Sequence, residues 1–494
     1  MRTKMLHTES TPSHQTTVSQ KHEKRIVYCV ALTAFVFQFE AFLVSVSLPD
    51  MAREMHATST SISFVVLTYL LAATISFLPA GRLGDRYGLR RIFLTGCALA
   101  CTGTLASGLS GSLPLLWASR VMQGLGTGAM VATGYAMIPT WVRKDRIGWG
   151  YGMLSMGAGL GMLAGMPVGG LLSHYLAWQW IFLATLPVFL CLLWFAAVQL
   201  PGLKNEVPAV TNKTSLDWPG LVMCALMISA LVLFCSLGTE AGWSSPAMMT
   251  LLCTSGLFCL ILFLRGRRGK VLLEPDLLRS PGFLLAISTL FLFQFVNGGI
   301  RFLMPFYLEL GCGLSILMSS ALLLAYPLGF APASIGSGHL TDRLGSRPMV
   351  LAALLLGTIL CSAYAGLLAS REIGFFILFM VLFGLVTAIF SPANNRLTMA
   401  NVSEMHRGEA SALLPVALNL GSVFGVSVFD TIFSLDLSGE AVTALHGSKV
   451  SEGTMQYLLE GFEHAFLFAS LVLLITTLCA LGYPKTIRPA QPIL

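Results

Sequence analysis

The chain has 494 residues, of which 55% are hydrophobic and only 11% are charged, and its mean hydropathy is +0.77. Soluble globular proteins carry about 25% charged residues, so this composition excludes a soluble fold and predicts an integral membrane protein. The formal net charge of +7 is interpreted as loop bias, and no nucleic-acid partner is expected. Because the apolar runs lack the period-2 alternation of barrel strands, we expect an all-α protein.

Apolar runs long enough to cross the hydrocarbon layer as helices, which takes about 20 residues, recur along the whole chain. Fourteen spans are predicted, at 26–48, 62–80, 92–110, 114–138, 148–172, 178–200, 217–238, 246–264, 282–308, 315–337, 349–369, 373–394, 409–432 and 462–483. The polar ends of the chain, 1–25 and 485–494, are expected to be cytoplasmic tails, with the first of them disordered.

The positive charges provide a test of this count, because cytoplasmic loops collect Lys and Arg. With the N-terminus inside, the cytoplasmic segments hold 25 of the 30 Lys and Arg residues. The outside loops hold only Arg53, Arg371 and Lys449, while Arg120 and Arg301 fall inside spans. A missed helix would invert every later loop, so we expect a multi-pass protein of the plasma (bacterial inner) membrane with both termini in the cytoplasm.

Two cytoplasmic loops repeat one pattern. "GRLGDRYGLRR" (81–91) follows the second span, "GHLTDRLGSRP" (338–348) follows the tenth, and both contain G-x-L-x-D-R-x-G. Each loop follows the second helix of its half, so the chain is predicted to be duplicated, with two spare helices between the halves. The predicted units are six-helix bundles at 26–200 and 282–484, an inserted helix pair at 217–264, and cytoplasmic linkers at 201–216 and 265–281.

Further stretches occur in the order typical of one transporter family. They are "EAFLVSVSLP" (40–49), "LWASRVMQGLGTG" (116–128), "GMLAGMPVGG" (161–170), "WQWIF" (178–182) and "LDWPG" (216–220). With the two loops, they resemble the major facilitator superfamily, specifically its fourteen-helix drug:proton antiporter (multidrug efflux) family. The resemblance covers most of residues 26–435. It implies the major facilitator fold, with two six-helix bundles and two inserted central helices, and export of lipophilic or amphipathic compounds in exchange for protons.

The fifth-helix stretch resembles the family's antiporter motif, although the family has its proline one place earlier. Small residues at i and i+4 let helix backbones approach closely in lipid. A Gly- and Pro-rich face also suits two halves that rock about a central site, so we expect both roles for this helix. The motif residues are Gly161, Gly165, Pro167, Gly169 and Gly170.

Glu40 lies just beyond the midpoint of the first span, in the slot where the family keeps an aspartate. An ionised carboxylate in the bilayer core costs about 2.5–3.5 kcal/mol on insertion scales, so it normally faces a cavity or a partner. A protonated carboxyl costs less, so one proton can change the energy of a conformation. Glu40 is therefore predicted to couple protons or bind a substrate, and a static ion pair is the structural alternative.

Two further residues are candidates for proton coupling. The resemblance implies that Arg120 is a relay or gating residue near the first helix, and structural anchoring is the alternative. Asp430 lies near the outer end of the thirteenth span, where exposure to solvent is the alternative.

A substrate cavity is predicted between the halves. Asn297 is the repeat counterpart of Glu40, because each precedes the loop aspartate of its half by 45 residues. Asn297 and Arg301 share a helix face at i and i+4, so they are expected to form the wall opposite Glu40. The alternative for Arg301 is pairing with Glu309 or Asp430. The remaining expected cavity residues are Phe37, Gln38 and Gln294.

Six residues of the repeated loops are expected to latch a gate, because these loops must change partners as the halves rock and charges interact well with helix ends. They are Asp85, Arg86, Gly88, Arg90, Asp342 and Arg343. An ordinary solvated loop is the alternative.

The competing functions differ in class. An alternative to multidrug efflux is a proton-coupled transporter of a specific metabolite, which Arg301 would anchor if it were anionic. A membrane enzyme or ATP-driven pump is disfavoured because the sequence lacks G-x-x-x-x-G-K-[ST], G-x-S-x-G and H-E-x-x-H. We expect no metal and no cofactor, and a monomer in the lipid bilayer whose partners are a small-molecule substrate and protons.

Overall fold

A computed structural model describes residues 20–200, 217–268, 277, 279–403, 406–435 and 452–483, and these residues form helices without a strand. The helices are α1 (Gln20–Glu54), α2 (Ser59–Tyr87), α3 (Leu89–Gly108), α4 (Leu113–Trp141), α5 (Ile147–Tyr175), α6 (Gln179–Gln199), α7 (Trp218–Ala241), α8 (Pro246–Arg267), α9 (Pro281–Phe306), α10 (Ile316–Leu323), α11 (Ala325–Leu344), α12 (Ser346–Leu367), α13 (Ile373–Ala400), α14 (Arg407–Leu435) and α15 (Glu452–Ala480). The all-helical fold class predicted from the sequence is confirmed.

Twelve helical segments of the described chain are long and apolar enough to cross a membrane. Two more helices, α3 and α4, are 20 and 29 residues long and pack against each other inside the first half. One of the twelve segments, Leu317–Leu344, includes both α10 and α11. Each predicted span therefore coincides with helix, while the count of fourteen crossings stays a prediction.

The ends of the first and last spans differ from the sequence prediction. Residues 20–25 belong to α1 rather than to a disordered tail, because Glu23 in the first turn is buried and lies 3.6 Å from Arg146. The last helix begins at Glu452 rather than at 462. The rest of the predicted first tail, the 201–216 linker, most of the 265–281 linker and the 485–494 tail lie outside the described residues.

The two halves pack their helices in the same pattern. In the first half α1 packs against α5, α2 against α4 and α3 against α6. The second half repeats this with α9 against α14, α11 against α13 and α12 against α15. Gly161 of α5 and Gly425 of α14 lie against the backbone carbonyl oxygens of Phe35 and Phe295, an approach that a Cβ atom would block. The repeated loop pattern in the sequence thus reflects a repeated helix packing.

The halves meet along two seams. In one seam α5 of the first half packs against α11 of the second, and in the other α2 packs against α14. The inserted helices lie beside the second seam, where α7 contacts both α2 and α14 and α8 contacts α7. Asp217 before α7 pairs with Arg265 of α8 at 2.7 Å and ties the inserted helices together. Within the part of the chain that the structure describes, α7 thus covers the α2–α14 seam.

Candidate functional site

The α2–α14 seam is closed at its loop end by an aspartate. The carboxylate oxygens of Asp85 accept hydrogen bonds from the backbone N–H groups of Gly408 and Glu409, each at 3.0 Å. Arg82, one turn earlier on α2, lies 3.5 Å from the Glu409 carboxylate. The first N–H groups of a helix have no acceptor within the helix and favour a negative charge, so Asp85 of one half caps a helix of the other.

The other seam is closed by the same device. The carboxylate oxygens of Asp342 on α11 accept hydrogen bonds from the N–H groups of Gly148 and Trp149 at the start of α5, each at 2.8 Å. Arg396 of α13 lies 3.1 Å from the same carboxylate. Asp85 and Asp342, the aspartates of the two repeated loops, therefore each bridge one seam between the halves, and these two contacts are called latches below.

The other predicted gate residues have different surroundings. Gly88 ends α2 with φ at +96°, a left-handed conformation that favours glycine, and turns the chain into α3. Arg90 donates a hydrogen bond to the carbonyl oxygen of Ala197 at 2.7 Å, within the same half. Arg86 lies over the ring of Tyr87. Arg343 is exposed.

A charged cluster is sealed inside the first half. Glu40 on α1 and Arg120 on α4 have no exposed surface, and their nearest carboxylate and guanidinium atoms are 3.7 Å apart. Gln123 bridges them, donating to Glu40 Oε1 at 2.6 Å and accepting from Arg120 Nη1 at 2.5 Å. The Gln123 amide also donates to the Thr104 hydroxyl at 2.8 Å. Arg120 and Gln123 reach the same partner because i and i+3 share a helix face.

The guanidinium of Arg120 is held from several sides. Its Nε donates to the carbonyl oxygen of Val65 at 3.1 Å, and its central carbon lies 4.2 Å from the ring centroid of Tyr69 and 5.4 Å from that of Phe182. Ring faces attract cations most strongly when water is excluded. The second carboxylate oxygen of Glu40, Oε2, is buried in the same cluster.

A separate cavity of about 320 Å³ lies between the halves. On α5 its wall begins at Met162, about 21 Å along the helix from the latch at Gly148. Among the described lining residues only Arg301 is charged. The lining residues are Phe42, Met162, Met166, Gly298, Arg301, Phe302, Pro305, Leu323, Leu324, Tyr326, Pro327, Met380, Ser422 and Val426.

The structure does not place Glu40 in the cavity opposite Arg301, which corrects the sequence expectation. Successive helix residues are turned by about 100°, so Phe42, which lines the cavity, puts Glu40 on nearly the opposite side of α1. Glu40 therefore meets Arg120. Arg301 lines the cavity, and its guanidinium lies 5.6 Å from the ring centroid of Phe42 and 5.3 Å from that of Tyr326.

Asn297 lies behind the cavity rather than in its wall. Its amide donates hydrogen bonds to the hydroxyls of Tyr326 and Thr387, at 3.0 Å and 3.1 Å. Asn297 and Arg301 thus contact the same tyrosine, as residues on one helix face should. No ion pair of Arg301 is found among the described residues, so the expected alternative pairing with Glu309 or Asp430 is not seen in that part of the chain.

The other expected cavity and coupling residues lie outside the described cavity wall. The ring of Phe37 lies 6.0 Å from that of Tyr69, on the side of the charged cluster. Gln38, Gln294 and Asp430 are half-buried.

Glycines 161, 165 and 169 of the predicted antiporter motif in α5 face α1. Gly165 lies against the side chain of Phe42 and the backbone of Phe39, and Gly169 lies against the backbone of Leu43. Gly161 makes the same kind of contact one turn earlier, as described above. Pro167 is within α5 and exposed, and Gly170 is half-buried.

Sequence reasoning missed two tyrosines that organise these sites. Tyr69 contacts Arg120 in the first half, and Tyr326 contacts Arg301 in the second. Both precede the loop aspartate of their half by 16 residues, the same register that relates Glu40 to Asn297. Extending the repeat comparison beyond the charged residues would have found them.

Comparison with known proteins agrees with this architecture. The sequence model of the Major Facilitator Superfamily matches residues 30–426 and, in a second overlapping match, residues 287–493. Among solved structures, the human organic anion transporter MFSD10 (TETRAN) aligns with 94% of this chain and 100% of its own, with a TM-score of 0.61 and 15% identity. The proton:xylose symporter XylE aligns with 94% of this chain and 97% of its own, with a TM-score of 0.61 and 14% identity. At these identities the likeness shows the fold alone.

Relatives in sequence are transporters as well. The riboflavin transporter RibZ of Clostridioides difficile is 24% identical over 92% of this chain and 95% of its own length. The multidrug resistance protein Stp of Mycobacterium tuberculosis is 27% identical over 82% of this chain and 75% of its own length. The putative multidrug resistance protein MdtD of Escherichia coli is 26% identical over 83% of this chain and 86% of its own length. The chain therefore belongs to the major facilitator superfamily and is a multi-pass membrane transporter rather than an enzyme.

Proposed function

We propose that this protein exports lipophilic or amphipathic compounds in exchange for protons by alternating access. The observation that carries the proposal is the sealed cluster of Glu40, Gln123 and Arg120, because Glu40 lies on α1, which also contributes Phe42 to the cavity wall. Its setting is the plasma (bacterial inner) membrane, with both termini in the cytoplasm, as the Lys and Arg distribution favours.

The charge state of Glu40 would act on the seams through α1. An ionised Glu40 is compensated by Arg120, whereas a protonated Glu40 leaves the buried Arg120 without an anion. The two states therefore favour different positions of α1 relative to α4. Since α1 packs tightly on α5, and α5 forms a seam with α11, a shift of α1 is transmitted to the contact between the halves.

The latches supply the second part of the cycle. By the charge rule, the loop end of the seams is the cytoplasmic end, and there Asp85 and Asp342 hold the halves together. The cavity lies farther along the same helices. This arrangement corresponds to a conformation closed toward the cytoplasm, and export requires the latches to open so that a compound can enter from inside.

The cavity wall supports a broad substrate range. Methionine and aromatic side chains form much of it, and flexible, polarizable groups adapt to ligands of different shape. The relatives named multidrug resistance proteins support the same proposal. A second candidate is proton-coupled transport of one specific anionic metabolite, which Arg301 in the cavity favours, and a growth screen across drugs, dyes and organic acids distinguishes one substrate from many.

The test uses purified protein in liposomes with a pH gradient and three fluorescent probes, the cation ethidium, the neutral Nile red and the anion 8-anilinonaphthalene-1-sulfonate. Wild-type protein should release protons when a transported probe is added, and Glu40→Gln should not. The matched control is Glu372→Gln, which removes an exposed carboxylate from a loop and should behave as wild type. Undiminished proton release by Glu40→Gln would refute the coupling role.

A further inference from the structure

We propose that the cavity between the halves preferentially binds planar aromatic anions, with Arg301 as the anionic group's partner and the rings of Phe42 and Tyr326 as stacking faces. This names a substrate class for the proposed exporter and so rests on the proposed function. It selects by charge and shape, and it holds whether one compound or many are carried.

The charge of the cavity wall favours an anionic ligand. Arg301 is the one charged residue among the described lining residues, and none of them is acidic. An arginine within a membrane span is costly unless it is paired or faces a cavity. Here its described neighbours are two ring faces rather than a carboxylate. A ligand carboxylate or sulfonate would offer this guanidinium a bidentate, charge-assisted partner, whereas a cationic ligand would be repelled.

The acids nearest in sequence lie beyond the wall. Asp430 is one turn past Val426 on α14, and Glu309 follows the end of α9, but neither lines the cavity. Glu40, on the far side of α1, is already bonded to Gln123. The lining therefore presents a cation without a matching anion of its own.

The shape of the cavity wall favours a flat aromatic ligand. Phe42 belongs to the first half and Tyr326 to the second, so a flat ring system beside Arg301 touches both halves at once. Asn297 donates a hydrogen bond to the Tyr326 hydroxyl, which fixes the orientation of that ring. Methionines 162, 166 and 380 complete the surface, and thioethers pack well against aromatic groups. A volume of about 320 Å³ suits a small aromatic ligand.

The experiment is an equilibrium binding measurement on the full chain in lipid nanodiscs at pH 7, without any gradient. Three probes share one ring system and nearly one shape, namely 2-naphthoate (anion), 2-naphthamide (neutral) and 2-naphthamidine (cation). Wild-type protein should bind naphthoate at least about tenfold more tightly than naphthamide, because charge-assisted bonds to a guanidinium are strong, and it should bind naphthamidine most weakly. This ranking needs no variant, so it stays decisive if a substitution prevents folding.

Variants assign the ranking to the named residues. Arg301→Gln should bring naphthoate and naphthamide to similar affinity, and Arg301→Lys should keep part of the preference. Phe42→Leu should weaken all three probes alike by several-fold and leave the ranking unchanged. The matched control is Arg268→Gln, an exposed arginine at the end of α8, which should bind as wild type.

Any of three results would overturn the proposal. Wild-type protein could bind naphthamidine as tightly as naphthoate, or it could bind none of the three probes. The third result is an Arg301→Gln variant that keeps the full preference for naphthoate. Because binding is measured without a proton gradient, failure here leaves the Glu40 coupling test untouched, and failure of coupling leaves this ranking untouched.

Discussion

The two halves share one packing pattern but differ in the chemistry of their interiors. In the first half, the first helix carries Glu40, which forms a sealed cluster with Arg120. In the second half the counterpart of Glu40 is Asn297, whose amide bonds Tyr326 and Thr387, and this cluster is neutral. The repeat therefore preserved the site and changed its charge.

The fourth helices show the same difference. Gly124 and Gly384 each lie against the backbone oxygen of the organising tyrosine, so these glycines mark equivalent positions. Four residues before them stand Arg120 in the first half and Met380 in the second. Arg120 is sealed, whereas Met380 lines the cavity. One half therefore carries the sealed pair of Glu40 and Arg120, while the other supplies most of the described cavity wall.

The largest expected effect comes from replacing Arg120 of the first half by methionine, the residue that the second half has at the equivalent position. Arg120→Met leaves Glu40 buried without its cation, which is expected to cost about 3–5 kcal/mol. The apparent Tm in detergent should fall sharply, and Glu40→Gln combined with Arg120→Met should recover most of the loss. Met380→Leu, a volume-conserving change at the counterpart position, serves as the control and should cost less than about 1.5 kcal/mol. An unchanged Tm for Arg120→Met would mean that the pair is not the sealed interaction described here.

The next effect tests what the halves share. Gly161→Ala and Gly425→Ala each drive a Cβ into the backbone of the facing helix, so each should lower stability by about 1–3 kcal/mol. Gly256→Ala on α8 has nothing within 4 Å of the added Cβ and should be neutral or slightly stabilising. Thermal unfolding of the three variants provides the measurement. A loss of stability in only one of the variants Gly161→Ala and Gly425→Ala would contradict the equivalent helix packing of the two halves.

A smaller, local effect is expected at the latches. Asp85→Asn should speed hydrogen exchange in a peptide around Gly408, and Asp342→Asn should do so around Gly148, each by about tenfold. Each variant is the control for the other, because the opposite latch keeps its acceptor. Hydrogen exchange read by mass spectrometry decides this. Equal exchange at both latches in both variants would show that the halves open as one unit and that the carboxylates do not act separately.

Much of the fold could be predicted from the sequence because it depends on hydropathy, loop charge and repetition. The 257-residue register between Asp85 and Asp342 paired Glu40 with Asn297, and the same register relates Tyr69 to Tyr326. The two loops, predicted as gates, do contain the aspartates that bridge the seams. These features are properties of whole segments and survive an error of several residues in a helix boundary.

The partner of Glu40 could not be predicted in the same way. Which neighbour a buried carboxylate meets depends on the rotation of its helix, and two residues change the direction by about 200°. Both Arg120 and Arg301 were available cations at suitable depths, and only the packing of α1 against α4 and α5 separates them. The beginning of α1 was missed for a related reason, since Glu23 reads as a tail residue until Arg146 is placed beside it.

The central claim is that Glu40 of the first half carries a coupling charge that its counterpart in the second half, Asn297, does not. Its most direct test compares Glu40→Gln with the counterpart change Asn297→Ser in liposomes. The probe is whichever of ethidium, Nile red and 8-anilinonaphthalene-1-sulfonate the wild-type protein transports fastest. Both gradient-driven accumulation and dye exchange without a gradient are measured. We expect Glu40→Gln to retain exchange and lose accumulation. Asn297→Ser should slow accumulation and exchange alike through Tyr326, and so keep the wild-type ratio between them. Accumulation by Glu40→Gln at the wild-type level, or its loss in Asn297→Ser with exchange intact, would contradict the account.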